Sequence, residues 1–562
     1  MRAEQGRLGG SRLRRVLADG GESIPVWAPL AALCLASATL LVVLGTRLTF
    51  FNDEWHILFQ RQGFSADSIL EPHNEHLSAI PILVFKALIA LFGLESQLPY
   101  RLALAVVVVS LGVLVFWFVR QRAGNLLALA AAALVLFLGT AWEDLLWSFQ
   151  IGLIGSLATG VGVLIALERD TPRRNAIACA LLVFSILLSD LGIPFVIAAT
   201  VAVLLRRRPR QLWVPGAATA VFAAWWIGWG HEAETEVTFG NIARAPTYVL
   251  DSLASGLTSI FGLARYSAGT LETYQWGRPL VALVAIALVV WAVRGGRPSR
   301  QAIVVASAAL SFWILAGINF TEGREATASR YQLIDATLLI LLAAELLRPV
   351  RLHPAALAAV AVLALVAIAA NLGALKSGYD FLRGDAAIAK ADLGALEIVG
   401  PRAPGDYQLV EPVAHTPYLT GVTAEAYFEE TAEHGTPAYT VAEIEASPAE
   451  VRQAADNVML AGYEVGLETT TRGRDRAGCR RIEGAFGGGA VEVVVPAGGA
   501  TVTNLGGPEL ALHLRRFAPV ELPVGVGKLA AGFSGRIELP RDELGLPWRL
   551  VATGGSPLEV CP

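Results

Sequence analysis

Side chains that can move protons or bind ions are concentrated in residues 50–78, immediately after the first apolar segment of the chain. Three of the eight histidines of the protein lie in this stretch. Ionised groups are expensive to bury near lipid, so acids at the end of a membrane helix usually serve a function. We therefore interpret the stretch as the centre of a candidate site. Its acids and histidines are Asp53, Glu54, His56, Asp67, Glu71, His73, Glu75 and His76.

The first pair of acids, Asp53 and Glu54, is followed by Trp55. The pair could simply mark the membrane boundary, with Trp55 as an interfacial anchor. Alternatively, Asp53 lies in a cavity and removes a proton from an incoming hydroxyl group, a general-base role that contributes roughly 10²–10⁴ in rate. The residues alone leave both interpretations open.

The second cluster contains His73, Glu75 and His76, with Asn74 between them. These side chains are suitable ligands for a divalent metal ion. Their spacing matches no zinc signature, and it lacks the histidine pair four residues apart that metalloproteases use. The pattern therefore favours a hydrogen-bonding role, either fixing a loop over a cavity or holding a polar substrate. No cofactor is predicted with certainty, and a divalent metal remains the alternative.

A short loop between two later apolar segments contains Trp142, Glu143, Asp144 and Trp147. It could be a solvated turn with aromatic anchors. Alternatively, Glu143 or Asp144 turns inward toward the same cavity as Asp53, and the two tryptophans stack on sugar faces, which suit flat aromatic surfaces.

Two arginines, Arg324 and Arg330, fall in a segment that the topology described below places outside the cell. Their position opposes the rule that arginine belongs on the cytoplasmic side. A guanidinium at the outer edge of a membrane helix is a good bidentate ligand for a phosphate. The alternative is a purely structural partner for a nearby acid, namely Glu322, Glu325 or Asp335.

Most of the chain has the composition of a membrane protein. The 562 residues are 54% hydrophobic and 16% charged, which is too apolar for an ordinary soluble protein. No basic face with interleaved aromatic residues appears, which disfavours a nucleic-acid partner. The sequence also has no phosphate-binding loop, dinucleotide fingerprint or serine-hydrolase elbow, which disfavours a soluble nucleotide enzyme or a serine hydrolase.

About eleven segments are long and apolar enough to cross a bilayer core of about 30 Å, which takes roughly 20 residues per helix. Arginine-rich loops follow alternate segments, so these loops and the N-terminal arm, residues 1–25, are predicted to be cytoplasmic. The other loops, including 49–97, then face outward, as expected of a multi-pass plasma-membrane protein. The predicted segments are 26–48, 98–119, 125–141, 147–167, 174–190, 191–205, 211–230, 278–294, 300–319, 330–347 and 354–375.

One apolar segment, residues 77–94, does not fit this count. Including it as a membrane span would move every later loop to the opposite side of the membrane and place the arginine-rich loops outside. We expect it to be a helix at the outer membrane surface with Lys86 reaching toward the headgroups. Residues 248–263 are expected to form a second helix of this kind.

The composition changes after residue 375. We predict a helical membrane domain over 26–375 and an extracytoplasmic α+β or β-rich domain over 376–562. Alternating residues predict strands at 491–496, 509–517, 535–540 and 548–552, and the acidic segment 421–460 is more helical. If this domain lies outside the cytosol, Cys479 and Cys561 can form a disulfide.

The arrangement resembles the C-type glycosyltransferases, in particular the protein-mannosyltransferase and aminoarabinose-transferase branch. The resemblance is carried by residues 26–120 and extends to the remaining segments in topology. The sequence is also similar to uncharacterised actinobacterial membrane proteins. The family's usual His-Pro-Pro-Leu is replaced here by His-Asn-Glu-His-Leu. The matching features are the Asp53-Glu54 pair, the stretch from His73 to His76, the surface helix of 77–93 ending in Phe-Gly, and Arg101 near the second segment.

The resemblance implies a fold of membrane helices and an inverting sugar transfer from a polyprenyl-phosphate donor. Asp53 would deprotonate an acceptor hydroxyl of a glycan, lipid or protein, and Arg330 and Arg324 would hold the donor phosphate. Glu54, His73 and His76 would shape the pocket, and the C-terminal domain would bind glycan. Two alternatives stay open: a transporter or flippase for a lipid-linked sugar, and an inactive relative acting as an envelope scaffold. Polar residues gathered at one face favour the enzyme over a transporter, whose sites lie at mid-membrane.

Overall fold

The computed structural model describes residues 26–562 apart from 234, 265, 268–269, 272–273, 349–351, 410–418, 420, 471–477, 484–488 and 543. The predicted N-terminal arm, residues 1–25, lies outside the described residues. The chain forms two compact units. The first contains Met1–Leu48, Arg61–Phe92 and Ser96–Leu382, and the second contains Thr49–Gln60, Gly93–Glu95 and Arg383–Pro562.

Helices make up most of the described chain. In chain order they are α1 (Trp27–Gly45), α2 (Asp53–Gln60), α3 (Ala66–Leu70), α4 (Ala79–Phe92), α5 (Leu98–Ala123), α6 (Asn125–Leu136), α7 (Trp142–Leu146), α8 (Ile151–Ala166), α9 (Pro172–Leu188), α10 (Gly192–Leu205), α11 (Trp213–Gly228), α12 (Phe239–Ile260), α13 (Tyr274–Val293), α14 (Arg300–Ile318), α15 (Ser329–Leu347), α16 (Pro354–Val399), α17 (Ala424–His434), α18 (Val441–Glu445) and α19 (Ala449–Gly462).

Each of the eleven predicted segments coincides with a helix of the first unit. Seven spans in the described residues are long and apolar enough to cross a membrane, so the chain is a multi-pass membrane protein, while the count of eleven stays a prediction. They run over Trp27–Gly45, Leu98–Ala123, Asn125–Leu146, Ser148–Ala166, Trp276–Val293, Arg300–Ile318 and Pro354–Arg402.

Local sequence signals explain where several of these helices begin and end. The hydroxyl of Thr171 accepts a hydrogen bond from the backbone N–H of Arg174 at the start of α9, and Ser299 does the same at the start of α14. Helix α5 ends at Gly124, whose φ of 85° is accessible to glycine at low cost.

The surface-helix prediction for residues 77–94 is right about the helix and wrong about Lys86. Helix α4 has 14 residues and belongs to the shorter apolar helices, below the length of a full span. The Lys86 side chain is buried, and its Nζ donates to the backbone carbonyls of Arg61 and Gly63. It therefore points into the protein instead of toward headgroups, because two carbonyl groups satisfy the ammonium there.

The predicted domain boundary at residue 375 also differs from the structure. Helix α16 continues without interruption to Val399, and the compact units divide between Leu382 and Arg383. The change in composition that follows residue 375 therefore falls inside a helix. A further difference is that Thr49–Gln60, expected as part of the outer loop of the membrane domain, groups with the second unit.

The second unit contains two antiparallel sheets. One has four strands, in the order Val491–Val494, Arg549–Thr553, Leu510–Arg515 and Val524–Leu529, and the other has five, in the order Leu467–Thr470, Ser534–Ile537, Ala500–Asn504, Leu558–Cys561 and Arg480–Ile482. All four predicted strand segments are strands, and the acidic segment 421–460 holds the helices α17 to α19. The strands of the described chain are β1 (Tyr266–Ser267) and β2 (Thr270–Leu271) in the first unit, then β3 (Leu467–Thr470), β4 (Arg480–Ile482), β5 (Val491–Val494), β6 (Ala500–Asn504), β7 (Leu510–Arg515), β8 (Val524–Leu529), β9 (Ser534–Ile537), β10 (Arg549–Thr553) and β11 (Leu558–Cys561).

A buried carboxylate and a disulfide tie the second unit together. Asp456 on α19 accepts hydrogen bonds from the backbone N–H groups of Arg516, Phe517 and Ala518 at 2.7–3.1 Å. Cys479 is joined to Cys561 at the end of β11 by a disulfide. The carboxylate thereby fixes α19 to the segment that follows Leu510–Arg515, and the disulfide joins the residue before Arg480–Ile482 to the end of the neighbouring strand Leu558–Cys561.

Candidate functional site

A cavity of about 140 Å³ in the first unit is lined by both polar and apolar side chains. Such a cavity suits a ligand with a charged head and an apolar tail. The polar lining consists of Glu75, His76, Asp190, Asn319, Arg324 and Tyr331, and the apolar lining of Leu153, Leu191, Ile193, Pro194, Phe312, Leu315 and Ala316.

A tight two-residue turn presents Glu75 and His76 to this cavity. The backbone N–H and C=O groups of His73 and His76 bond to each other in both directions at 3.0 Å. Asn74 takes a φ of 54° in the turn, a region that asparagine tolerates better than most residues. The buried His73 ring packs edge-on against Phe149, with 4.9 Å between the ring centroids, and this contact anchors the turn.

Arg324 is fixed by an ion pair with Glu75. Its Nη1 donates to Oε1 of Glu75, and its backbone carbonyl accepts a hydrogen bond from the hydroxyl of Tyr248 at 3.1 Å. Burial by itself lowers the pKa of Arg324, but the hydrogen bond and charge of Glu75 outweigh it, so the pKa is raised. The guanidinium is therefore a permanent cation in the lining of the cavity.

His76 forms a second ion pair, with Asp190 in the turn between α9 and α10. Nδ1 of His76 lies 2.8 Å from Oδ2 of Asp190. Burial by itself lowers the pKa of His76, but the Asp190 carboxylate, helped by Glu75, raises it above its ordinary value. Burial by itself raises the pKa of Asp190, but the charge of His76 outweighs burial, and the net effect is a lowered pKa for Asp190. Both shifts favour the charged pair.

Arg330 pairs with Glu143 at the start of α15. The Glu143 carboxylate accepts a hydrogen bond from the backbone N–H of Arg330 at 2.9 Å and lies 3.6 Å from its Nε. The backbone N–H of Glu143 in turn donates to the Ser329 hydroxyl at 3.1 Å. Because Ala328 at the helix start supplies no side-chain cap, Glu143 caps α15 from another helix.

The remaining predicted residues of the loop between α6 and α8 are buried. Asp144 is fully buried beside Glu143 and Arg330. Trp142 is 4% exposed and packs against Phe381 at 5.6 Å, so its ring does not offer a sugar-stacking face in this structure. Neither residue is among those that line the cavity.

Asp53 and Glu54 belong to the second unit. Asp53 is the half-buried first residue of α2. Glu54 is fully buried, and its Oε2 accepts a hydrogen bond from the backbone N–H of Phe51 at 2.7 Å. Glu54 therefore stabilises the start of α2, because a glutamate three residues after the first free backbone N–H of a helix can accept its hydrogen bond.

A more open, polar cavity of about 470 Å³ shares Glu75 and Arg324 with the first cavity. Its other polar lining residues are Glu71, Asn74, Glu232 and Glu236. Among the described residues, the potential metal-ligand group of three side chains is Cys479, Glu559 and Cys561, whose two sulfurs are joined in the disulfide. His73, Glu75 and His76 do not converge in that way.

The residue that sequence reasoning missed is Asp190. It lies at the junction of the predicted segments 174–190 and 191–205, and its partner His76 is more than a hundred residues away in the chain. An acid in so short a turn between two apolar helices was the available signal. For a purely structural role of the two arginines, the sequence suggested Glu322, Glu325 or Asp335 as the partner. The structure instead pairs Arg324 with Glu75 and Arg330 with Glu143.

Comparison with known proteins gives low-identity likenesses. No protein-family model and no curated protein matches the sequence. ArnT from Cupriavidus metallidurans, solved bound to undecaprenyl phosphate, is 15% identical, with a TM-score of 0.42 over 71% of this chain and 84% of that one. The arabinosyltransferase EmbB from Mycobacterium smegmatis is 12% identical, with a TM-score of 0.31 over 94% of this chain and 64% of that one. Because both identities and both TM-scores are low, the roles of the site residues are argued from the residues of this chain alone.

Proposed function

We propose that the protein is a membrane glycosyltransferase of the C type, which moves a sugar from a polyprenyl-phosphate donor to an acceptor hydroxyl. The observation that carries the proposal is the cavity lined by Arg324 together with apolar residues from α8, α10 and α14. A polyprenyl phosphate has a matching anionic head and apolar chain. Arginine is the cation best suited to a phosphate, because its fork of donors fits two phosphate oxygens.

The proposed reaction assigns one role to each group. The Asp53 carboxylate takes the proton of the acceptor hydroxyl, whose oxygen then forms a bond to the anomeric carbon with inversion. The bond between that carbon and the phosphate oxygen breaks, and the polyprenyl phosphate leaves with the bonding electrons. Arg324 and Arg330 stabilise the charge that develops on the phosphate. Glu75 and His76 shape the pocket, and His73 holds the turn that carries them. Glu143 and Asp144 lie beside Arg330, and Glu54 stabilises the start of the helix that carries Asp53.

The proposed orientation is a cytoplasmic N-terminus, with the cavity and the C-terminal unit outside. The disulfide between Cys479 and Cys561 supports it, because such bonds persist in oxidising compartments. The arginine-rich loops support the same orientation. The acceptor would then be a glycan, lipid or protein of the cell envelope.

The direct test is sugar transfer by the purified full chain in nanodiscs, with a panel of polyprenyl-phosphate sugars and envelope acceptors. We expect release of free polyprenyl phosphate together with labelled acceptor. If a donor crosses the bilayer of protein-containing vesicles without being consumed, the protein is a transporter and the proposal is wrong. Failure to bind any polyprenyl phosphate would also overturn it.

A further inference from the structure

The turn between α9 and α10 holds Asp190 in one orientation. Its Oδ1 accepts a hydrogen bond from the Ser189 hydroxyl at 3.1 Å, and its backbone carbonyl accepts one from the N–H of Ile193 at 2.8 Å. Oδ2 is thereby left to face Nδ1 of His76 at 2.8 Å. A carboxylate on one ring nitrogen fixes both the orientation of an imidazole and which nitrogen carries a proton.

The other ring nitrogen of His76 is available to a ligand. His76 lines the cavity, and in the described part of the chain no hydrogen bond reaches its Nε2. Arg324, which lines the same cavity, has a described hydrogen-bond partner for Nη1 only. Each cation is therefore held by one carboxylate and retains further N–H donors.

We infer that His76, as its imidazolium, is a second phosphate ligand beside Arg324, with Asp190 as its positioning residue. This inference rests on the proposed function, because it takes the head of a polyprenyl phosphate as the occupant of the cavity. The shared chemistry is a phosphate ester, bound by one guanidinium and one imidazolium through charge-assisted hydrogen bonds.

The charges that face His76 determine when it can act. They are Asp190, Glu75 and Arg324, and Tyr331 lines the same cavity. Burial and Arg324 lower the pKa of His76, whereas Asp190 and Glu75 raise it, and the net shift is upward. The imidazole thus carries its proton to a higher pH than a free histidine does, and the ligand is lost as the pH rises through the raised pKa.

The chemistry of the transfer gives this proton a specific use. The donor is a phosphodiester with one negative charge, whereas the leaving polyprenyl phosphate is a monoester that gains a second. A cation that contacts the phosphate therefore binds the departing group more strongly than the ground state, which raises the rate of the chemical step. We expect His76 to affect kcat more than the apparent KM for the donor.

The test measures binding of undecaprenyl monophosphate to the full chain in neutral-lipid nanodiscs, between about pH 6 and about pH 9, on both sides of the ordinary histidine range. For the wild type we expect affinity to fall by roughly tenfold or more over this range, the size of one charge-assisted hydrogen bond. His76→Gln should bind weakly at every pH, and Asp190→Asn should shift the fall to lower pH. His353→Gln, at an exposed histidine elsewhere in the first unit, is the matched control.

The outcomes separate the inference from the proposed function. Wild-type binding that does not change with pH, or a His76→Gln variant with the wild-type profile, overturns the role of His76 and leaves the glycosyltransferase proposal standing. No binding by the wild type at any pH overturns both. Competition by inorganic phosphate or by added phosphatidylglycerol as strong as that by unlabelled undecaprenyl phosphate would show a general anion site and would also overturn the assignment. If Asp190→Asn does not fold, His76→Gln still decides the matter.

Discussion

Arg324 and Glu75 form an ion pair although 249 residues separate them in the sequence. The pair links the turn after α3 to the loop before α15, and both residues line the cavity. Because Glu75 engages one terminal nitrogen, the guanidinium is held in place before any ligand arrives. Groups that are already oriented lose little free energy to reorganisation when charge develops next to them.

The first prediction concerns this pair. Arg324→Lys keeps the charge and loses the two-pronged donor geometry, so we expect the apparent KM for the polyprenyl-phosphate donor to rise roughly 10- to 100-fold, the range for hydrogen bonds to charged groups. Steady-state transfer at varied donor concentration measures it. Arg294→Lys, at an exposed arginine of the same unit, serves as the control. An unchanged KM would remove Arg324 from the donor site.

Asp53 should control the chemical step. Both Asp53→Ala and Asp53→Asn should lower kcat by roughly 10²–10⁴, the usual contribution of a general base. Asp406→Asn, at an exposed acid of the same unit, should keep wild-type activity. Full activity of both Asp53 variants in a working transfer assay would show that another group takes the proton.

Arg330 and Glu143 are expected to have opposite effects on donor binding. Arg330→Ala should raise the apparent KM for the donor by removing a phosphate ligand. Glu143→Gln keeps an acceptor for the backbone N–H of Arg330 and removes the negative charge 3.6 Å from its Nε, so this KM should fall. Donor titrations of both variants test the pair. A donor response that Arg330→Ala leaves unaltered would exclude Arg330 from the site.

Asp456 should make the second unit less stable as the pH rises. Burial raises the pKa of Asp456 to about 6 against the opposing backbone hydrogen bonds. The folded form therefore binds the proton more tightly, and this stabilisation, roughly 3 kcal/mol, is present below the unfolded pKa of about 4 and lost as the pH rises through about 6. The difference in thermal unfolding between wild type and Asp456→Asn over this range isolates the effect. A constant difference would contradict it.

The disulfide gives a test of both stability and orientation. It closes a separation of 82 residues, so the Cys479→Ser, Cys561→Ser double variant should lose roughly 3–5 kcal/mol of stability in the second unit. In cells, a membrane-impermeant thiol reagent should label these positions only after reduction. Labelling before reduction would show that the bond does not form, and protection even after reduction would place the unit on the cytoplasmic side.

The membrane helices and the strands could be predicted from the sequence because both depend on local patterns. A run of about 20 apolar residues forms a helix in lipid whatever its neighbours are, since every backbone polar group must be satisfied within the segment. Alternating residues similarly predicted the strands around Val493, Leu512 and Leu550, whose side chains are buried. The candidate acids and arginines were recognisable because charge is costly next to lipid.

Only the tertiary structure decided which of these charges meet. An ion pair between Glu75 and Arg324, or between His76 and Asp190, depends on how loops from distant helices come together, and no local pattern encodes that. The direction of Lys86 and the burial of Trp142 have the same origin, because a side chain on an apolar helix can face lipid or protein with the same sequence around it. The sequence therefore determined which acids, histidines and arginines are candidates for the site. The packing of the helices and loops determined which of them form ion pairs.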